Sequence, residues 1–165
     1  MFTKLEGPAL EAVRRLAAEL RRRALEGGIP PEELTIRSLR PEDLGFTGSE
    51  WTFDLTSADA FNTNAINVTL SNMRWVGVYG IMVGESGAQV SDQLRFTVNG
   101  RRTAYWQIQN ANYLQDNSMY FEDVVIGNEN NSFTVDIYAT AADSDHQLSF
   151  LGLVAERKGM LVQPS

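Results

Sequence analysis

Hydrophobic and polar residues alternate along most of the chain after residue 48, and this period of two predicts β-strands. The clearest case is the stretch 94–108, in which two alternating arms flank Asn99-Gly100. An Asn-Gly pair favours a type I′ turn, because both central residues of that turn adopt positive φ. We therefore predict an antiparallel β-hairpin here, within a mainly β fold.

Further strand patterns recur at fairly even intervals, separated by loops rich in Asn, Asp, Gly and Ser. No helical period follows residue 48, which argues against a parallel sheet with crossover helices. Eight short strands joined by turns are typical of a β-sandwich or barrel. The predicted strands span residues 51–55, 65–72, 75–83, 93–98, 101–109, 119–125, 132–139 and 147–156.

The N-terminal part of the chain has a different period. Between residues 8 and 26, apolar side chains recur every three or four positions, which predicts one amphipathic helix. Pro8 suits its first turn, and Gly27-Gly28 ends the pattern. The candidate contact residues of this interaction arm are Leu10, Val13, Leu16 and Leu20 on the apolar stripe, and Arg14, Arg15, Arg21, Arg22 and Arg23 on or beside the polar face.

This helix has two interpretations. It is either an arm that contacts a membrane surface, a nucleic acid or a neighbouring subunit, or a helix that packs on its own domain with solvated arginines outside. Three glutamates among the five arginines leave residues 8–26 with a net charge of only +2, which is weak for a polyanion binder. For Arg21, Arg22 and Arg23 we expect an acidic partner, first of all the β domain of another subunit.

Prolines at positions 30, 31 and 41 interrupt regular structure in a connector that ends near Gly45 to Gly48. We therefore divide the chain into a helical arm and connector, residues 1–45, and a β domain, residues 46–165. The first part has eight Lys/Arg and eight Asp/Glu, and the second has six and thirteen, so the β domain carries the whole net charge of −7. Such an acidic body is a poor platform for nucleic acid.

The bulk composition fits a globular protein of 165 residues, with 43% hydrophobic and 21% charged residues. No apolar run approaches the length of a membrane span, and the N-terminus lacks the apolar core of a signal peptide, so we expect no secretion by that route. The absence of cysteine fits a reducing compartment or a hot environment.

Eight strands with a tight hairpin between the fourth and fifth resemble the plan of a jelly roll. An Arg-, Leu- and Ala-rich arm ahead of the strands, Asn-rich loops and no cysteine resemble the single-jelly-roll coat proteins of tailless, membrane-containing icosahedral bacteriophages of thermophiles. The resemblance implies an eight-stranded antiparallel jelly-roll sandwich or barrel after an N-terminal amphipathic helix. Because only Met73-Arg74 separate the second and third predicted strands, a meander barrel remains an alternative topology.

The resemblance implies a virion structural protein, a capsid subunit with no catalysis and no cofactor. Such a protein is made in the host cytoplasm and located in the virion. Its partners would be copies of itself and a second coat protein, with the arm toward an inner membrane or the genome. A capsid decoration protein of a tailed phage belongs to the same class of function, and a carbohydrate-binding β-sandwich of a receptor-binding spike is the rival.

The rival function rests on aromatic and amide side chains around the hairpin and the loop after it, because aromatic rings stack on sugars and amides bind hydroxyl groups. The alternative is that Trp106 belongs to the core and that the polar loop contacts another subunit. The candidates for glycan or subunit contact are Tyr105, Trp106, Asn110, Asn112, Tyr113 and Asp116.

Residues with catalytic or metal-binding chemistry are few. Asp143, Asp145 and His146 lie within four positions and are weak candidates for a divalent cation such as Ca²⁺, but a polar turn before the last strand explains them better. A single histidine argues against a metal centre of the cupin type. Residues 84–88 nearly match the G-x-S-x-G nucleophile motif but fail at Ala88. We expect no enzyme activity and no metal.

Overall fold

The computed structural model describes residues 7–83, 89–103, 105–109, 111, 114 and 117–159. Helix α1 spans Pro8–Glu26, and two single-turn 3-10 helices span Pro31–Glu33 and Pro41–Leu44. The strands within the described residues are β1 (Leu34–Ser38), β2 (Thr52–Leu55), β3 (Ala60–Thr69), β4 (Arg74–Val83), β5 (Ser91–Val98), β6 (Arg101–Arg102), β7 (Trp106–Gln107), β8 (Ser118–Gly127), β9 (Ser132–Ala139) and β10 (Asp143–Arg157). The prediction of a mainly β chain with one N-terminal helix is confirmed.

These strands form two antiparallel sheets. The first sheet has the order β1-β10-β4-β8, with β2 also paired to β10. The second has the order β3-β9-β5-β6, with β7 also paired to β5. The chain therefore crosses between the sheets at each step from β2 to β5 and again from β7 to β10, which a meander barrel does not do.

The strand count differs from the prediction, because ten strands rather than eight occur in the described part of the chain. One addition, β1, lies in the predicted connector and pairs with the end of β10, from Leu34 opposite Arg157 to Ser38 opposite Leu153. The other comes from the predicted strand 101–109, which consists of the two short strands β6 and β7. Thr103 lies between them, and both its backbone N–H and its hydroxyl group form hydrogen bonds with the backbone of Phe96.

The hairpin at Asn99-Gly100 has the predicted turn. Asn99 has φ 53° and Gly100 has φ 77°, and Val98 pairs with Arg101. The connection between β3 and β4 is longer than the sequence pattern indicates, because β3 ends at Thr69 and β4 begins at Arg74. Met73 adopts φ 59° within it, and this left-handed residue helps the chain to turn from one sheet to the other.

The main core lies between the two sheets and is rich in aromatic side chains. Phe96 is fully buried and meets the rings of Trp106, Phe121, Phe133 and Phe150 in near edge-to-face contacts, with centroids 5.2 to 6.1 Å apart. This arrangement places the negative face of one ring against the positive edge of another, so these contacts add to the hydrophobic effect of burial.

A second, smaller core lies on the outer face of the first sheet, beneath α1. Leu16, Leu20 and Ala24 have no exposed surface and pack in a cluster with Trp75 and Ala155. The span 8–26 predicted from the sequence agrees with the helix, and its apolar stripe faces the chain's own sheet. Helix α1 and β1, both from residues 1–45, thus pack on strands of the predicted β domain.

Candidate interaction surfaces

The apolar stripe of the predicted arm is used within the chain. Leu16 and Leu20 are fully buried against the first sheet, and Leu10 and Val13 are partly buried. A neighbouring molecule could reach Leu16 and Leu20 only if α1 left the sheet. The outward surface of α1 is therefore made by its charged side chains.

Most arginines of α1 bind groups of the same chain. Arg22 forms ion pairs with Glu19 and with Glu26, the latter at 2.9 Å, and Arg23 lies 3.0 Å from Glu19. Hydrogen bonds from Arg22, and then from Arg23, lower the pKa of Glu19 to about 2. Because these residues lie at the surface, the pairs contribute little to stability.

Arg15 has a structural role at the neighbouring strand. Its guanidinium donates to the backbone carbonyl of Glu122, where β8 has an irregular register between Tyr120 and Val125. It also lies 3.3 Å from the Glu11 carboxylate. Arg14 and Arg21, in contrast, are exposed, and their side chains have no polar partner among the residues that the structure describes.

The C-terminal half of α1 borders a groove of about 690 Å³ that the sequence did not predict. Arg101, an exposed hairpin residue distant in sequence from α1, lines this groove, and Arg102 is its exposed neighbour on β6. The residues that line the groove are Arg22, Arg23, Glu26, Gly27, Trp75, Asn99, Arg101, Asn128, Glu129 and Asn131. Only the register of the strands brings these segments together, and the sole sequence signal is a pair of arginines after a tight turn.

An aromatic surface covers part of the outer face of the second sheet. Phe61 and Tyr105 stack with centroids 5.4 Å apart, and Tyr138 meets Phe61 edge-on at 5.2 Å. The Arg95 guanidinium lies 4.2 Å from the centre of the Phe61 ring and 2.6 Å from the Asp136 carboxylate. We call Phe61, Tyr105 and Tyr138 the aromatic face. Because Arg95 and Asp136 neutralise each other beneath this face, a ligand would contact the aromatic rings first.

Of the predicted glycan-contact residues, only Tyr105 belongs to the aromatic face, and 51% of its surface is exposed. Trp106 is partly buried and stacks on Phe121 in the main core, with centroids 4.7 Å apart. Alternation along the strand explains why the two neighbours separate. Asn110, Asn112, Tyr113 and Asp116 lie outside the residues that the structure describes. Phe61 and Tyr138 come from β3 and β9, so sequence proximity gave no sign of them.

The weak metal candidates do not form a ligand cluster. His146 points inward and its Nε2 lies 2.9 Å from the Ser91 hydroxyl, whereas Asp145 is exposed. Asp143 is partly buried, and one of its carboxylate oxygens lies 3.4 Å from His146 Nδ1. In the part of the chain that the structure describes, no three potential ligands come close enough to hold a metal ion.

Ser91, His146 and Asp143 stand in the order of a catalytic triad. A nucleophile must touch its substrate, however, and Ser91 has no exposed surface. Gln89 also donates to the Ser91 hydroxyl at 3.2 Å. The contacts among these side chains tie the start of β5 to the start of β10, across the two sheets, and we assign them a structural role. Residues 84–88, which nearly match a nucleophile motif, lie outside the described residues.

A buried charge network fixes β1 to the first sheet. Both terminal nitrogens of Arg37 lie 2.7 Å from the Asp43 carboxylate, and Arg37 Nε lies 2.7 Å from Glu156. Arg74 donates to the same Glu156 at 3.1 Å. Burial alone would raise the pKa of Asp43, but hydrogen bonds from Arg37 and from the backbone of Arg40 hold it below its ordinary value. Two cations balance two anions here, which favours a role in stability.

Within the described residues, no helix is long and apolar enough to cross a membrane. Comparison of the sequence with models of known families gave no match, and neither did the searches of curated proteins and of solved structures. The argument for function therefore rests on the strand order and on the surfaces described above.

Proposed function

We propose that this chain is a jelly-roll protein that builds a viral shell. The observation that supports this most is the strand order. Numbered from β2 as the first strand, with β6 and β7 together as the fifth, one sheet has the order first-eighth-third-sixth and the other second-seventh-fourth-fifth. A jelly roll interleaves its eight strands in this way, as two Greek keys closed on each other.

Open sheet edges support a role in assembly. Among the described residues, β8 pairs only with β4 and β3 pairs only with β9. Such edges present unpaired backbone groups on which another chain can bind. A closed shell repeats contacts of this kind by symmetry. In this proposal the sandwich is a rigid wall, and its edges and loops contact copies of the chain and a second coat protein in the virion. A decoration protein on a tailed-phage head would use the same surfaces.

Electron microscopy of negatively stained, concentrated protein tests this proposal. We expect regular oligomers or closed particles of uniform size, whose number rises with protein concentration. Adding purified heads of a tailed phage distinguishes the decoration role, in which the chain binds a preformed shell and does not form one. Isolated single molecules under all these conditions would contradict a structural role in a virion.

A second candidate function is glycan binding at the aromatic face. The exposed ring of Tyr105, which stacks on Phe61, favours it. The test is a glycan array probed with the wild type, with Tyr105→Ala and with Tyr120→Ala, a matched control because Tyr120 is also exposed, on the other sheet. Binding that only Tyr105→Ala removes would support this function. A wild-type protein that binds no glycan on the array would exclude it for those ligands.

A further inference from the structure

We infer that the chain associates head to tail with a second copy of itself, through a basic surface at one end of the sandwich and an acidic surface at the other. This inference rests on the proposed function, because it names a contact by which the subunits would assemble. The basic end consists of Arg101 and Arg102 on the hairpin, beside the C-terminal end of α1. The acidic end consists of Asp54, Asp59 and Asp145.

A chain of hydrogen bonds holds the hairpin beside the end of α1. Arg23 donates to the Asn128 side chain at 2.9 Å. The backbone of Asn128 donates to the Asn99 side chain at 2.8 Å, and the Asn99 side chain donates to the carbonyl of Ile126 at 3.0 Å. The turn that carries Arg101 is thus fixed to β8 and to the helix, so the basic end is ordered before any partner binds.

The basic end has positive charge that the chain itself does not neutralise. Arg101 and Arg102 are exposed, and their side chains have no polar partner in the described part of the chain. Arg22 and Arg23 line the groove beside them but share Glu19 and Glu26. Glu129 also lines the groove, where its carboxylate accepts from the backbone of Met73. Arg101 and Arg102 therefore outnumber the one carboxylate that no arginine pairs with there, while the protein as a whole carries −7.

The register of the strands places the acidic end at the opposite end of both sheets. In β4, Trp75 lies against Gly27 at the end of α1, and Val83 at the other end pairs with Leu148 of β10. Eight residues of strand correspond to about 26 Å. In the second sheet, β5 begins at Ser91 on the far side and ends at the hairpin.

The acidic end has a uniform sign. Asp54 lies on β2 and Asp145 near the start of β10, and these strands pair, with Leu55 opposite Asp143. Asp59 lies just before β3. All three carboxylates of the acidic end are exposed. The sequences 51–63 and 139–149, which form this end, contain no lysine or arginine.

A second copy of the chain fits the basic end better than a nucleic acid. Every copy carries the complementary acidic surface, whereas the net charge of −7 repels a polyanion at longer range. Opposite charges at two different ends of one molecule give a heterologous contact, which closes into rings or shells where the rotation between subunits allows it. Salt weakens such a contact because the charges are exposed.

Two charge-reversed proteins test the inference. Arg101→Glu with Arg102→Glu makes both ends acidic, and Asp54→Lys with Asp145→Lys makes both ends basic. We expect the self-association of each protein alone to be weaker than that of the wild type by a factor of roughly ten or more, as measured by sedimentation velocity at low salt. An equimolar mixture of the two should recover association, because unlike ends then meet. Arg101→Glu alone should also weaken association, and Arg14→Glu, which makes the same change of charge on the N-terminal half of α1, is its matched control and should behave as the wild type.

The outcomes separate the inference from the proposed function. If the wild type associates and both reversed proteins associate equally well, or if the mixture fails to recover, the head-to-tail contact is wrong and a shell protein remains possible through other surfaces. If the wild type stays monomeric, both the head-to-tail contact and the proposed shell-building function are wrong. If the wild type binds a single-stranded oligonucleotide, and reversal at Arg101 and Arg102 removes only that binding, the basic end serves a polyanion and the inference is overturned. Circular dichroism checks the fold of each variant.

Discussion

The contact between α1 and β4 allows a size test of the fold. Gly77 lies directly beneath the helix, and a Cβ at this position would overlap the Leu16 side chain. The substitution Gly77→Ala therefore forces the helix or Leu16 to move. Overpacking of this kind costs about 1–3 kcal/mol, of which the lower backbone entropy of alanine in the unfolded chain returns about 0.4–1 kcal/mol. We expect a net loss of about 1–2 kcal/mol.

Leu16→Ala probes the same contact from the other side. Leu16 has no exposed surface, so its truncation removes buried methyl groups and leaves a cavity. Such changes cost about 2–5 kcal/mol. In the double variant the new methyl group at position 77 occupies part of that cavity and no longer overlaps a leucine. We therefore expect the double variant to lose at least about 1 kcal/mol less than the sum of the two single losses.

Urea unfolding, followed by circular dichroism and by tryptophan fluorescence, measures these free energies. Trp75 is a suitable reporter because it is only 4% exposed and packs with α1. Gly48→Ala is the matched control, since a Cβ there meets nothing within 4 Å, and it should change stability by less than about 0.5 kcal/mol. Additive losses at Gly77 and Leu16, or a neutral Gly77→Ala, would refute the placement of α1 on this sheet.

Three further predictions concern the buried polar groups and the hairpin. Asp43→Asn removes one anion of the buried network and leaves Arg37 without its bidentate partner. We expect the free energy of unfolding, measured in urea, to fall by about 3–5 kcal/mol. The control Glu11→Gln, at an exposed pair, should lower it by less than about 1 kcal/mol. The pKa of Asp43 is lower in the folded protein, so the ionised carboxylate contributes its full stabilisation above the ordinary pKa of about 3.9 and loses it as the pH falls through the lower folded value. The free energy of unfolding should therefore decrease below about pH 4, and this decrease should be smaller in Asp43→Asn. Asn99→Ala removes the hydrogen bonds of this side chain to Ile126 and Asn128 and places alanine at φ 53°, so we expect a loss of stability of about 2 kcal/mol. A melting temperature equal to that of the wild type would contradict this.

Local signals in the sequence predict the elements with short-range causes. Asn99-Gly100 specifies its turn through backbone conformation alone, and the helix of residues 8–26 follows from a period of apolar residues bounded by Pro8 and Gly27. Neither requires knowledge of distant contacts. The split of the predicted strand 101–109 follows from contacts with Phe96 across the hairpin, which the alternation of residues does not encode.

The position of α1 could not be read from its own sequence. An apolar stripe indicates that a helix face is buried, but the same stripe suits a partner subunit or the chain's own sheet. The relevant information lies in the strands: Gly77 and Gly152 remove side chains from the outer face of the first sheet and allow close packing there. A glycine within an otherwise apolar strand is the signal that could have indicated such an approach.

Buried charges and surface clusters depend on the pairing of strands. Arg95 and Asp136 are charged residues at positions where alternation predicts solvent, yet each is at most 9% exposed. The Phe61 ring covers Arg95, and Arg95 in turn binds Asp136. Arg23 and Arg101 are separated by many residues and line one groove only because of the register of the sheets. These groupings require the tertiary structure.

The most direct test of the central claim is the mass of the native protein by light scattering, across protein concentration and at low and high salt. Subunits that build a shell, held in part by oppositely charged ends, should grow into dimers or larger assemblies as concentration rises, and salt should disperse them. A monomer of 18.4 kDa at every concentration and salt would contradict the account.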